Sequence, residues 1–349
     1  IINKALKAIR QGCSMPAFVS DKSYINFFTR HGVSIEDARD FVMTGCLDGN
    51  IPGRTRTIAC GMFIVPMVLD IFMNDGIDSK TGLKVLPGMG DPEQYKTYED
   101  FEKAFKDVLA EAIKLGAEKS NIENIVNRER FPCPVRSAFF RDGTTIGLDF
   151  HRRLFDFENS VVMNPVGMIN LVNSLAAIKK VVFEDKTFSL AELKEALDAN
   201  WEGYEEIRDK CVNVPKYGND IDYVDKIASE LYRYWAEVTE TIDASYGGKC
   251  VPTGISVTSH QPGGALCNAT PDGRFHKEIL ADGTVSPAQG HDVNGPTATL
   301  KSAMKIDQDA FQAMLHNMKF HPSAMNSEED LTKLTNLIKV YFNNGGKHI

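Results

Sequence analysis

Thr44-Gly45-Cys46-Leu47-Asp48-Gly49-Asn50-Ile51-Pro52-Gly53 is the stretch from which the rest of the chain can be read. The apolar run Phe41 to Met43 enters it as a strand, and Gly45, Gly49 and Gly53 then let the backbone bend where a Cβ would resist. Cys46 is expected at the tip of this rigid support. Asp48 follows two residues later, and in extended backbone residues i and i+2 point to the same side. A thiol and a carboxylate facing one substrate suit radical chemistry. The S–H bond is weak enough to give a thiyl radical, the thiyl can take hydrogen from an activated C–H or O–H bond, and the carboxylate can move the accompanying proton. A nucleophilic thiolate fits less well, because no His is close in sequence and a neighbouring carboxylate raises a thiol pKa. The plain alternative is a small buried Cys in a glycine turn. A Cys-x-Asp spacing taken alone does not separate the two.

On either side of this loop, short apolar or β-rich pieces alternate with longer helical ones. Ala17 to Val19, Phe41 to Thr44 and Val251 to Ser259 read as strands bounded by Gly and Pro. Asn219 to Ile242 puts Val224, Ile227, Ala228, Leu231, Trp235 and Val238 on one helical face, and Tyr98 to Leu115 does the same with Phe101, Phe105, Val108, Leu109 and Ala112. Leu171 to Phe183 is apolar on most sides, as a buried helix would be. Ser189 with Glu192, and Ser34 with Asp37, have capping-box spacing. This alternation predicts an α/β architecture. Gly263 to Ala298 is different: it is rich in Gly, Pro, Asn and Asp, and so long a loop is usually functional.

The bulk properties narrow the function classes. The 349 residues carry a net charge of −8, with no Lys/Arg cluster of the kind a nucleic-acid binder uses. No apolar run reaches the length of a membrane span, and Met62 to Met73 is interrupted by Pro66 and Asp70. The seven cysteines form no C-x-x-C pair, so neither an iron–sulfur cluster nor a zinc ribbon is indicated, and no metal ligand set is expected. Their odd number in a large chain argues against a disulfide scaffold and for a reducing, cytoplasmic setting. The chain begins with Ile1 and ends on Gly345-Gly346-Lys347-His348-Ile349, which reads as the start of a strand, so it is expected to be part of a longer polypeptide.

Several segments, in order, resemble the glycyl radical enzymes of the pyruvate formate-lyase-like family. Gly45-Cys46-Leu47-Asp48 with Pro52-Gly53 is similar to the Gly-Cys-x-Glu loop of the dehydratases, C–N and C–S lyases and arylacetate decarboxylases. Met15-Pro16-Ala17-Phe18 and Ser34 to Asp40 resemble the strand and short helix before that loop, and Asn170 to Lys180 resembles the family's buried helix. Pro215 to Asp220 with Val224-Asp225, Ala269 to Arg274, Leu280 to Gly283 and Asn294 to Ala298 are further likenesses, so the resemblance covers essentially the whole chain. It implies part of a ten-stranded α/β barrel with peripheral helices. Residues 1–349 would be the catalytic core, holding the second half-barrel and the cysteine loop 44–53. It implies Cys46 as the thiyl-bearing residue. It also implies an organic glycyl radical rather than a bound cofactor, an S-adenosylmethionine-dependent [4Fe-4S] activating enzyme as partner, and a homodimer. The chain departs from the pattern twice. The acid is Asp48, one methylene shorter than the usual Glu, and the Arg-Val-x-Gly-Tyr motif that holds the radical glycine does not occur, so the glycyl radical domain is expected to be absent.

The residues around the loop bear on the reaction. Ile58 to Phe63 is apolar, which favours an aromatic or alkyl substrate lined by Met62 and Phe63, or else is simply core. In Val251 to His260, Thr253, Ile255, Val257 and Ser259 alternate with Gly254, Ser256, Thr258 and His260, and one of the two sets is expected to face the pocket, so Ile255, Val257, Ser259 and His260 are candidate substrate contacts. Arg54 and Arg56 are candidates for a substrate carboxylate, or are surface charges. Arg274 is expected to organise the long loop. The expected reaction is an arylacetate-type decarboxylation. Fumarate addition of the arylsuccinate synthase kind comes next, followed by dehydration or C–N/C–S cleavage and by formate C-acetyltransferase chemistry. The non-enzymatic reading is a non-catalytic half of a split enzyme.

Overall fold

The computed structural model describes residues 1–349 except 14, 46, 57, 58, 156, 256 and 257. Cys46 and Val257 therefore lie outside the described residues, as do the side chains of Ala59 and Cys60.

Two small sheets place the loop. The first is an antiparallel hairpin, β1 (Val42–Thr44) with β2 (Asp48–Asn50), in register Val42↔Asn50, Met43↔Gly49 and Thr44↔Asp48. The second is parallel, in the order β3 (Ala59–Ile64), β4 (Val161–Val166) and β5 (Val251–Pro252). A parallel bridge from Gly254 to Met314 extends its far edge. The crossovers between the parallel strands contain the helices Val65–Met73 and Tyr98–Arg130, then Met168–Ile178 and Asp222–Thr241. Parallel strands need such connections, and the α/β class read from the sequence is the class observed.

The parallel sheet has two faces of different use. Met163 points into the main core, with Val68 and Phe72 of the first crossover, Phe105 and Leu109 of the long helix, and Leu231 and Trp235 of the Asp222–Thr241 helix. On the other face Val162 and Val251, neighbours in register, pack with Phe27 and Phe28 of the helix Asp21–Arg30, with Ile51 and with Phe157. With the two-residue period of a strand, Met62, Asn164 and Thr253 share this second face, which is the face the hairpin approaches.

Several elements differ from expectation for identifiable reasons. The helix begun at Tyr98 continues to Arg130, past an apolar stripe that gives way to exposed Ile122, Ile125 and Val126. Gly116 lies within it at a close approach, where a Cβ would collide with the Phe63 ring. The buried helix ends at Ile178 and passes into a π-helix, Lys179–Glu184. Val251 to Ser259 is not one strand. The backbone N–H and C=O of Ile255 are taken by the Asn164 side chain instead of a neighbouring strand, and His260–Leu266 is a helix with Pro262 in its first turn. Ala17 to Val19 forms no strand of its own and pairs with residues 347–349, Val19 bridging His348 and Phe18 exchanging both backbone hydrogen bonds with Ile349 at 2.9 and 3.0 Å. The reciprocal cap of Ser189 and Glu192 is present, and Ser34 accepts from the Asp37 N–H. No described helix is long and apolar enough to cross a membrane.

Candidate active site

Gly45 and Leu47, which lie between β1 and β2, carry positive φ, +55° and +99°. For Leu47 this backbone is sterically costly and persists only when its surroundings hold it. The Tyr24 hydroxyl does so by donating to the Leu47 carbonyl at 2.9 Å. The Tyr24 ring also lies against Gly49, where a Cβ would come within 2.8 Å of its Cδ1. Glycine at 49 is thus required by close approach. Below the turn, Asn50 donates to Thr44 Oγ1 at 2.6 Å, and its own carbonyl oxygen accepts from Thr55 at 2.8 Å and Asn159 at 2.9 Å. The cysteine turn therefore sits on a fixed, hydrogen-bonded base.

Asp48 leaves this turn as the first residue of β2 and is almost entirely buried. Its Oδ1 accepts a hydrogen bond from Thr253 Oγ1 at 3.2 Å, and Thr253 has no solvent exposure. Burial pushes the Asp48 carboxyl up to about 6, with the Thr253 hydrogen bond pulling the other way. A carboxyl poised there can give or take a proton near neutral pH, which an ordinary Asp cannot do as well. Tyr24 is the titratable neighbour that feels the charge. Burial, then Asp48, hold its phenol well above the ordinary range. Lys347 lies beyond it, its Nζ 4.3 Å from the Tyr24 ring centroid and donating to the Ser23 carbonyl at 3.1 Å, with burial lowering it to about 7.

The remaining expected site residues divide. Met62 is half exposed on the hairpin side of the sheet, and Ser259 Oγ approaches its sulfur at 3.5 Å, so these two come together. Ile255 is held by Asn164 just beyond Thr253. His260 starts a helix, and its carbonyl accepts from the Leu280 N–H. Phe63 is a correction. It points to the opposite face, edge-on to Trp235 at 5.6 Å and over Gly116, and is core rather than pocket lining. Arg56 is another. It is buried, bonded through Nε and Nη2 to Glu158 at 3.2 and 2.9 Å, and stacked on Tyr246 at 4.1 Å. Arg54 is paired with Asp37. Arg274 does organise its loop, reaching Thr270, Glu278 and Asn268, as expected. Sequence reasoning missed Tyr24 and Asn164, and it placed Thr253 in an alternating set that could face the pocket without marking it as the partner of Asp48. Nothing local marks Tyr24. Among the described residues no cluster of His, Cys, Asp and Glu could hold a metal.

Comparison with known proteins shows the family and the fold. Residues 1–264 match the family model described as "Pyruvate formate lyase-like", and residues 281–349 match "Glycine radical". The chain belongs to the pyruvate formate lyase-like family of glycyl radical enzymes. It is 33% identical to trans-4-hydroxy-L-proline dehydratase of Clostridioides difficile, over 100% of this chain and 44% of that protein. It is 30% identical to indoleacetate decarboxylase of Tractidigestivibacter scatoligenes, over 99% of this chain and 42% of that protein. Among solved structures, the glycerol-bound B12-independent glycerol dehydratase of Clostridium butyricum superposes with a TM-score of 0.93 at 32% identity, covering 99% of this chain and 44% of that one. The chain thus spans less than half the length of these relatives. The match to the glycine radical model corrects the domain reading. The last part of the chain, from residue 281, matches the domain that was expected to be absent, although Arg-Val-x-Gly-Tyr does not occur in the sequence.

Proposed function

We propose that the chain is the cysteine-loop part of a glycyl radical lyase in which Cys46 carries the thiyl radical and Asp48 moves the proton. The observation that carries this reading is Asp48. It is a buried carboxyl on the strand leaving the cysteine turn, hydrogen-bonded from Thr253 and poised near neutral pH. In the proposed cycle the Cys46 thiyl takes a hydrogen atom from a substrate C–H, forming S–H. The Asp48 carboxyl protonates the departing group on the adjacent carbon as its bond breaks. The resulting carboxylate accepts a proton from an O–H or N–H on the radical carbon, and Cys46 returns its hydrogen atom to the product radical. Atoms and charge balance, and Asp48 ends as it began.

Of the reactions considered, loss of water from a small hydroxylated substrate fits best. The argument for an aromatic pocket rested on Ile58 to Phe63, and Phe63 packs away from the hairpin, whereas Asp48, Thr253 and Asn164 make the facing surface polar. Arylacetate decarboxylation is the second reading, favoured by the half-exposed Met62 on that same face. Fumarate addition loses its arginines, since Arg56 and Arg54 are both paired. Activation by an S-adenosylmethionine-dependent [4Fe-4S] enzyme and a homodimeric state are part of the proposal.

The test uses a polypeptide that also carries the Arg-Val-x-Gly-Tyr segment, activated anaerobically and supplied with hydroxylated acids, diols and arylacetates, with products identified by mass spectrometry. Dehydrated product is expected, and Asp48→Asn should slow its formation by a factor on the order of 10² or more. Decarboxylated arenes would move the assignment to the second reading. Near-normal turnover by Asp48→Asn would remove the proton-transfer role.

A further inference from the structure

We infer that Thr253 is the positioning residue for Asp48, fixing which carboxylate oxygen is presented to the substrate; this rests on the proton-transfer role proposed above. The pair is brought together from positions 205 residues apart, Thr253 Oγ1 donating to Asp48 Oδ1 at 3.2 Å, with both side chains buried. Oδ2 accepts no hydrogen bond among the described residues, so it is the oxygen left for the proton that travels.

Both ends of this contact are held rigidly. The Thr253 N–H donates to the Met163 carbonyl at 3.0 Å, which ties the residue to β4. Asn164 grips Ile255, two residues further on. Gln312 joins the two partners' strands directly: its backbone N–H donates to the Pro252 carbonyl at 2.9 Å, and its Nε2 donates to the Gly49 carbonyl at 3.0 Å. Thr253 is β-branched, so its χ1 is restricted and the hydroxyl is aimed with little loss of entropy. An Asp side chain has only two torsions and is one methylene shorter than Glu. A single well-placed donor therefore suffices to select its rotamer. Among the described residues, the titratable groups that face Asp48 from neighbouring elements are Tyr24, from the helix Asp21–Arg30, and, through the Tyr24 ring, Lys347. Neither makes a hydrogen bond to the carboxylate among the described residues, so Thr253 is the contact that can be changed without altering charge.

The hydroxyl favours the ionised carboxylate, and removing it should favour the protonated form. The experiment is a ¹³C NMR titration of the Asp48 carboxyl in the full chain, in the parent, Thr253→Val and Thr253→Ser forms. It is paired with the pH dependence of kcat and KM in the activated enzyme. The parent should titrate near 6. Loss of one hydrogen bond to a charged group should raise the midpoint in Thr253→Val by about one pH unit, and Thr253→Ser should restore it. The kcat profile should move by the same amount while KM changes less than threefold. An unchanged midpoint in Thr253→Val, or a serine form that behaves like the valine form, would overturn the inference. If Thr253→Val does not fold, Thr253→Ala carries the same comparison. The two readings fail separately. A fixed midpoint with a slow Asp48→Asn enzyme removes only the Thr253 role. A shifted midpoint with a fully active Asp48→Asn enzyme removes the proton-transfer role itself.

Discussion

Replacing Glu158 with Gln should unfold the base of the cysteine hairpin before it touches catalysis. The Glu158 carboxylate is nearly buried and faces a buried Arg56 guanidinium through two hydrogen bonds, with Arg56 Nη1 also donating to the Phe150 carbonyl. Burial outweighs the arginine's pull and holds the Glu158 carboxyl above its ordinary range, so the pair survives by geometry more than by net Coulombic gain. Removing one member leaves an uncompensated charge in a site walled by Tyr246 and Phe155. That costs about 3–5 kcal/mol for a buried pair, and the retained amide oxygen of Gln places Glu158→Gln at about 3. At about 2 °C per kcal/mol for a chain of this size, the melting temperature should fall by about 6 °C. Urea denaturation followed by circular dichroism measures the loss, and the double variant Arg56→Met/Glu158→Leu should recover most of it, because a filled apolar site carries no unpaired charge. The loss should propagate, since the Arg56 N–H donates to Asn159, whose amide donates to Asn50 in β2. A Glu158→Gln protein within about 0.5 kcal/mol of the parent would refute this reasoning and return Arg56 to the list of substrate contacts.

Three further outcomes follow from the same geometry. Gly49→Ala should cost about 1–3 kcal/mol in denaturant titration, since its Cβ would lie 2.8 Å from Tyr24 Cδ1 and 3.4 Å from Phe28 Cε2; parent-like stability would show that Tyr24 can move aside. The folded Asp48 carboxyl, about 6 against an ordinary 3.8, contributes stability in full below pH 3.8 and loses it as pH rises through 6. Asp48→Asn should therefore be more stable than the parent at pH 7.5, by up to about 3 kcal/mol, with Asp70, also pushed up to about 6, still titrating in that window. His316 and His348 have the opposite sign: burial lowers them to about 3 and 4, so their contribution is full above the ordinary 6.5 and lost as pH falls through those values. His316→Phe, which keeps the ring beside Tyr341, should lose less stability between pH 7 and pH 4.5 than the parent does.

What could be read from the sequence was whatever local chemistry dictates. The turn around Cys46 announces itself through Gly45 and Gly49, and the Ser189–Glu192 cap and the apolar stripe of Asp222–Thr241 are written in their spacing. Asp48 was legible because it lies two residues from the cysteine. Its partner was not, because Thr253 reaches it from 205 positions away and only the packing of β5 against the hairpin brings the two together. The same limit misassigned Phe63. Apolar residues 58–63 fit a pocket or a core equally well by composition, and only the strand's register decides which side faces the hairpin. The strand expected from Val251 to Ser259 failed at Ile255, where a distant side chain, Asn164, replaced the ladder. Arg56 looked like a surface charge or a carboxylate binder, since its partner Glu158 is 102 residues away.

The central claim is that radical chemistry at this site passes through Cys46. It is tested most directly in the polypeptide that includes the radical glycine, activated anaerobically, by comparing Cys46→Ala with the parent in one sample series. Electron paramagnetic resonance reads the stored radical and mass spectrometry reads the product. The account predicts an undiminished glycyl radical signal in Cys46→Ala with no product and no exchange of substrate hydrogen. Product formation by Cys46→Ala at a rate comparable with the parent would contradict it.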